Sequence, residues 1–69
     1  MKRQAVSSSN LASIGYDASS NTLEVEFNSG RVYEYYDVPA SEHRALMNAS
    51  SHGAYFNANI KNNYEYSEL

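Results

Sequence analysis

Residues 23–35 read LEVEFNSGRVYEY, and the way the two halves of this stretch pair decides the fold. LEVEF (23–27) alternates strictly: Leu23, Val25 and Phe27 point one way, Glu24 and Glu26 the other. That is the pattern of a half-buried strand. NSG (28–30) then supplies a three-residue hairpin loop, whose last position takes a left-handed backbone that Gly30 adopts without steric cost. This loop pairs Phe27 with Arg31, Val25 with Tyr33 and Leu23 with Tyr35. A two- or four-residue loop would set Val25 against Glu34 and turn the apolar side chains to the wrong face. Tyr33 and Tyr35 therefore share a face with Leu23, Val25 and Phe27, whereas Tyr36 lies on the other face with Val32, Glu34 and Glu26. The cost is Glu24 opposite Glu34, a like-charge pair that destabilises by roughly 0.2–1 kcal/mol. Arg31 is poorly placed to relieve it.

Upstream, NLASIGY (10–16) puts Ala12, Ile14 and Tyr16 on one parity, which suits a first strand, and DASSNT (17–22) is dense in turn formers. Residues 1–9 are polar and Ser-rich and read as a flexible arm. Downstream, DVPASEHRALMNAS (37–50) is the helix, with Asp37 as N-cap, Pro39 in the first turn and Glu42 near the positive end of the dipole. Its stripe is His43, Leu46, Met47 and Ser50. SHGAYFNANIKNNY (51–64) forms a shorter helical turn capped by Ser51, with Phe56 and Ile60 on one face and Tyr55 beside them. YEYSEL (64–69) either adds a short edge strand or frays, with residues 67–69 as a tail. The expected fold is α+β: an antiparallel three-stranded β-meander, then one helix and a shorter helical turn packed on the Tyr33/Tyr35 face. It forms a single domain over residues 10–66.

A chain of 69 residues buries only about 60% of the surface its unfolded form exposes, so its stability margin is thin. Small domains compensate with disulfides, a metal or self-association. Cysteine is absent, which removes disulfides and thiolate zinc sites. His43 and His52 are too few and too far apart in sequence to suggest a metal site, and no cofactor is expected. Self-association stays open. The net charge of −3 counts against nucleic acid as a partner, because Lys and Arg contacts to phosphate carry most of that affinity. No apolar run is long enough to span a membrane, and MKRQAVSSSN lacks the apolar stretch of a secretion signal. A cytoplasmic protein is expected.

The segments SSNLASIGYD, LEVEFNSG, VYEYYDVP and ASSHGAYFNANI occur in the order found in the KTSC domain, which this chain resembles over about residues 8–64. The motifs that carry the resemblance are Y-x-Y (Tyr33, Tyr35), V-P (Val38, Pro39) and S-x-G-x-Y-F-N (Ser51, Gly53, Tyr55, Phe56, Asn57), followed by Ile60. The family is named after the C-terminal extension of certain lysyl-tRNA synthetases and also occurs as free-standing small bacterial and phage proteins. One departure is His43, where the family commonly has an aromatic or aliphatic residue. The family has no settled activity. RNA binding has been suggested for it from the company of a synthetase, which is association and not chemistry.

Five groups of residues invite a functional reading. Tyr33 and Tyr35 suit either base stacking on an open sheet or core packing beneath the helix, and their parity with Leu23, Val25 and Phe27 favours the core. Arg31, Arg44 and Lys61, with Tyr36 and Tyr55, are the candidates for a small phosphate- and base-reading patch, against the simpler reading of solvated charge. Asn57, Asn59, Asn62 and Asn63 suit an adenine edge or simply turns and helix ends, and Asn57 joins the candidates because the resemblance includes it, against the simpler reading of a structural bond to the backbone of the preceding loop. Ser51 beside His52 is a helix cap and not a hydrolase pair, since adjacent residues rarely align for proton transfer. Gly53 reads as a turn. Glu24, Glu26 and Glu34 read as solubilising charge and edge protection, since so small a domain has little room to hold a catalytic carboxylate pair. The expected function is a non-catalytic binding module for RNA or a nucleotide-containing ligand, with Arg31, Tyr36, Arg44, Tyr55, Asn57 and Lys61 as the binding residues. The alternative is a self-associating protein-interaction module with no nucleic-acid role, in which a small ligand sits between subunits in a phage-type oligomer.

Overall fold

The computed structural model describes residues 1–69. Its elements in chain order are β1 (Arg3–Ala5), β2 (Leu11–Asp17), β3 (Thr22–Phe27), β4 (Val32–Tyr35), α1 (Ala40–Asn48), α2 (His52–Asn59) and β5 (Tyr66–Glu68). The central hairpin has the register read from its loop: Leu23 opposite Tyr35, Glu24 opposite Glu34, Val25 opposite Tyr33. Gly30 sits at φ 95°, and its N–H donates to the Phe27 carbonyl at 2.9 Å, while Phe27 N–H donates to the Arg31 carbonyl at 2.9 Å. A side chain at that φ would strain the loop.

The sheet has five strands and not three, in the order β1-β2-β3-β4-β5, all antiparallel. The arm supplies β1, with Arg3 opposite Gly15, and the tail supplies β5, with Tyr66 opposite Tyr35 and Glu68 opposite Tyr33. Both are short edge strands of largely exposed residues. Backbone hydrogen bonds hold them, so no apolar alternation marks them in the sequence.

β2 departs from strict alternation at its start. Leu11 pairs with Phe27 and Ser13 with Glu26, so Ala12 is the extra residue of a β-bulge. The bulge turns Leu11, rather than Ala12, into the core, where it is fully buried. From Ile14 onward the parity is the one read from the sequence. The core comprises Leu11, Ile14, Leu23, Val25, Tyr35, Val38, Leu46, Phe56 and Ile60, and both helices cover the same sheet face.

Asp37 does not cap α1. It takes φ +57° in a tight connection, and Pro39 is the N-cap residue. The connection is fixed by Val38: its N–H donates to the Asn21 carbonyl at 2.9 Å and its carbonyl accepts the Tyr16 hydroxyl at 2.5 Å. Ser51 caps α2 as expected, its Oγ accepting from Ala54 N–H at 3.2 Å. Gly53 is not a turn residue. It lies in the first turn of α2, buried against Asn10, and a Cβ there would stand 2.0 Å from Asn10 Oδ1.

On the far sheet face, Arg3 reaches over β2. Its Nε donates to Ser13 Oγ at 2.9 Å, and its guanidinium pairs with Glu24 and, at 4.0 Å, with Glu26. The Glu24–Glu34 repulsion is thus offset by an arginine from the arm. Arg31 is engaged elsewhere, 3.7 Å from Glu68.

Candidate functional site

The two helices are too short to cover the whole aromatic face of the sheet. Phe56 of α2 seats edge-on against Tyr35, with centroids 5.3 Å apart, and against Phe27 at 5.6 Å. Beyond Phe56 the face stays open between the hairpin loop, α2 and β5. The result is a cleft of about 560 Å³. Phe27, Tyr33, Tyr35, Phe56 and Tyr66 form its aromatic walls; Asn10, Asn28, Asn57, Asn62 and Ser29 add neutral polar groups; Arg31 and Lys61 add positive charge. No carboxylate lines it.

The rings form a connected set. Tyr33 lies 5.5 Å from Phe27 and 5.7 Å from Tyr66, and Tyr35 lies 5.5 Å from Tyr66. Tyr35 is the floor, only 4% exposed, and burial, helped by Tyr66 and Tyr33, pushes its phenol up to about 12. Tyr33 is half-buried and Tyr66 is exposed, so these two present ring surface to solvent. The sequence reading of Tyr35 as core holds, but Tyr33 belongs to both core and cleft.

Of the residues picked from sequence, Arg31, Asn57 and Lys61 come together at this cleft. Tyr36, Arg44 and Tyr55 do not line it. Tyr36 follows β4, and its hydroxyl donates to Glu34 at 3.4 Å on the far side of the sheet. Arg44 is an exposed residue of α1. Tyr55 donates its hydroxyl to Glu42 of α1, whose other oxygen accepts from Tyr64 at 3.0 Å. That shared carboxylate ties α2 and the segment after it to α1, and it helps raise both phenols: for Tyr55 the hydrogen bond is the main cause, for Tyr64 burial is. Asn10, Phe27, Asn28 and Tyr66 are not among the binding residues read from the sequence, and Tyr33 and Tyr35 are weighed there as a stacking surface but assigned to the core. The hairpin register was the available signal for three of them, since it gathers Phe27, Tyr33 and Tyr35 on one face.

The histidines lie elsewhere. His43 stacks on Tyr16 with centroids 4.7 Å apart and planes 7° from parallel, and burial and then Arg44 hold its imidazole below the usual value. His52 Nδ1 lies 2.9 Å from the Leu46 carbonyl and closes the junction between the helices. No three His, Cys, Asp or Glu side chains gather as a metal-holding group.

The KTSC domain family model matches residues 7–64. The chain belongs to the KTSC domain family. In the crystal structure of a KTSC domain protein from Yersinia pestis, 39% identical, 99% of this chain superposes on 96% of that one with a TM-score of 0.94. An uncharacterized protein of Stutzerimonas stutzeri is 48% identical over 67 residues, spanning 96% of this chain and 94% of that protein. A lysine–tRNA ligase of Trichormus variabilis is 44% identical over 54 residues, which span 78% of this chain but 10% of the ligase. KTSC sequences therefore occur both as small proteins and as a small part of lysine–tRNA ligases. The Y-x-Y pair, Tyr33 and Tyr35, lies in the cleft. No helix of this KTSC domain is long and apolar enough to cross a membrane.

Proposed function

We propose that this KTSC domain is a non-catalytic binding module whose aromatic cleft takes single-stranded RNA or a smaller nucleotide-containing ligand. One observation carries the reading: a cleft walled by aromatic rings in edge-on and tilted contact, with Arg31 and Lys61 at hand and no carboxylate in its lining. Aromatic platforms hold bases of any sequence through their π faces, and unpaired bases are what such platforms reach. Arginine and lysine supply the phosphate contacts, and asparagine amides suit a base edge. A volume of about 560 Å³ falls within the roughly 300–1,000 Å³ usual for small-ligand sites. Most of the acidic charge lies away from the cleft, because Glu24, Glu26 and Glu34 belong to the far face and Glu42 is held by Tyr55 and Tyr64; Glu68, 3.7 Å from Arg31, is the carboxylate beside it. The role fits a cytoplasmic setting.

Two phosphate contacts give a slope of about −1.4 in log K against log salt for a single strand, hence weak and salt-sensitive binding. The test is a nuclear magnetic resonance titration of a short single-stranded RNA at roughly 20 mM salt, where screening is weak. Shifts concentrated at Tyr33, Asn57, Lys61 and Tyr66 are expected, weakening as salt rises. A titration without shifts at those positions refutes the reading. A second reading, a self-associating interaction module, is supported by the outer edge of β5, where Tyr66 and Leu69 are 57% and 65% exposed. A monomer in sedimentation at high concentration removes it.

A further inference from the structure

Arg31 is the one cleft-lining cation already engaged by a carboxylate: its Nη1 lies 3.7 Å from Glu68 Oε1, while Lys61 has no ion pair. That distance is longer than a good charge-assisted hydrogen bond, and both side chains are largely exposed, 66% and 45%. Glu68 belongs to β5, which also supplies Tyr66 to the cleft wall. All three residues of β5 are exposed, and its ends are tied by the Tyr36 N–H to the Glu65 carbonyl at 2.9 Å and the Leu69 N–H to the Val32 carbonyl at 2.8 Å.

We infer that Glu68 is a specificity-setting residue, which occupies Arg31 in place of a ligand anion and is displaced when a phosphate enters the cleft, loosening β5. The inference rests on the nucleotide reading of the cleft. Glu68 and a ligand phosphate carry the same sign, so beside one guanidinium they repel each other and compete for it. An uncharged nucleoside stacks on Tyr33 and Tyr66 without disturbing the pair. Glu68 therefore lowers affinity for phosphorylated ligands selectively and couples their binding to the docking of β5.

The experiment titrates adenosine 5′-monophosphate and adenosine into the parent protein, Glu68→Gln and Glu68→Asp, followed by resonance shifts. Glu68→Gln is expected to bind the monophosphate about 1.4- to five-fold more tightly, the span of exposed ion pairs, with adenosine unchanged. Glu68→Asp, which keeps the charge, behaves as the parent, and the gain of Glu68→Gln shrinks with added salt. In the parent, the monophosphate speeds hydrogen exchange at the Leu69 amide. Equal gains for both ligands, or no gain for the monophosphate, overturn the inference. If neither ligand shifts the cleft in any of the proteins, the nucleotide reading itself fails. Inorganic phosphate then decides the competition: a shift at Arg31 Nε with faster Leu69 exchange upholds it, and no change overturns it.

Discussion

Gly53→Ala is expected to destabilise the domain, although alanine is the better helix residue. Replacing glycine inside a helix by alanine ordinarily stabilises by up to about 1 kcal/mol. Here the added methyl would stand 2.0 Å from Asn10 Oδ1, 3.0 Å from its Cγ and 3.3 Å from its Nδ2. The Asn10 side chain must swing away, and it gives up the hydroxyl of Ser8, which donates to Oδ1 at 3.2 Å. That bond is worth about 1 kcal/mol. Forcing the half-buried contact apart costs a further ~1–3 kcal/mol, as overpacking does. The balance is a net loss of about 1–3 kcal/mol. The double variant Asn10→Ala/Gly53→Ala removes the clash and keeps the helix gain, so it returns close to the stability of Asn10→Ala alone or above it. Urea unfolding reads this out as midpoint shifts at constant slope, and the cycle gives a coupling of about 2–4 kcal/mol between the two positions, the lost bond plus the overpacking. A Gly53→Ala variant as stable as the parent, or effects that simply add, would refute the account of Gly53 as the seat of Asn10. Because Asn10 lines the cleft, Gly53→Ala should also alter the resonances of Asn28 and Asn57.

His43 titrates below its ordinary value of 6.5 through burial and then Arg44, so the unfolded chain takes up its proton first. Its contribution is therefore complete above about pH 6.5 and is lost as the pH falls towards the folded value, while His43→Phe, which keeps the stack on Tyr16, flattens this dependence. Thermal midpoints between about pH 7.5 and 5 test it, a window above that of Asp17, whose serine partners hold its carboxyl below 3.8; a parallel fall in both proteins counts against it. Arg3→Ala leaves the 9%-exposed Glu24 carboxylate beside Glu26 and Glu34, with a loss of about 1–3 kcal/mol that Glu24→Gln recovers in the double variant. Urea midpoints unmoved by Arg3→Ala would mean that the arm contributes nothing to the folded state.

What the sequence revealed followed its periodicity. LEVEF and the glycine of NSG specified a hairpin whose register carries Tyr33 and Tyr35 onto the core face, and Ser51 announced α2. What it hid depended on partners distant in sequence. Nothing in RQA or YSE alternates, so β1 and β5 emerge only once β2 and β4 offer them an edge. The bulge at Ala12 was invisible because either parity of NLASIGY carries apolar residues. The candidate site was legible in part for the same reason. Arg31 is set by the hairpin, and Asn57 and Lys61 by α2 and the turn after it. Tyr55, in contrast, was drawn away by Glu42, and Tyr66 was delivered by a strand with no pattern of its own. Arg44 and Tyr36 share charge or ring chemistry with the cleft but stand on other faces.

The order β1-β2-β3-β4-β5 means that each strand lies beside the one before it in the chain, so the sheet is laid down without a single crossing. Its two margins are then its first and last strands. A unit wired in this way can be spliced behind or ahead of other sequence without rethreading any strand, and most of its strand contacts close over short loops, which favours rapid assembly. Such wiring suits a small cassette that is carried as a tenth of one relative and as nearly all of another.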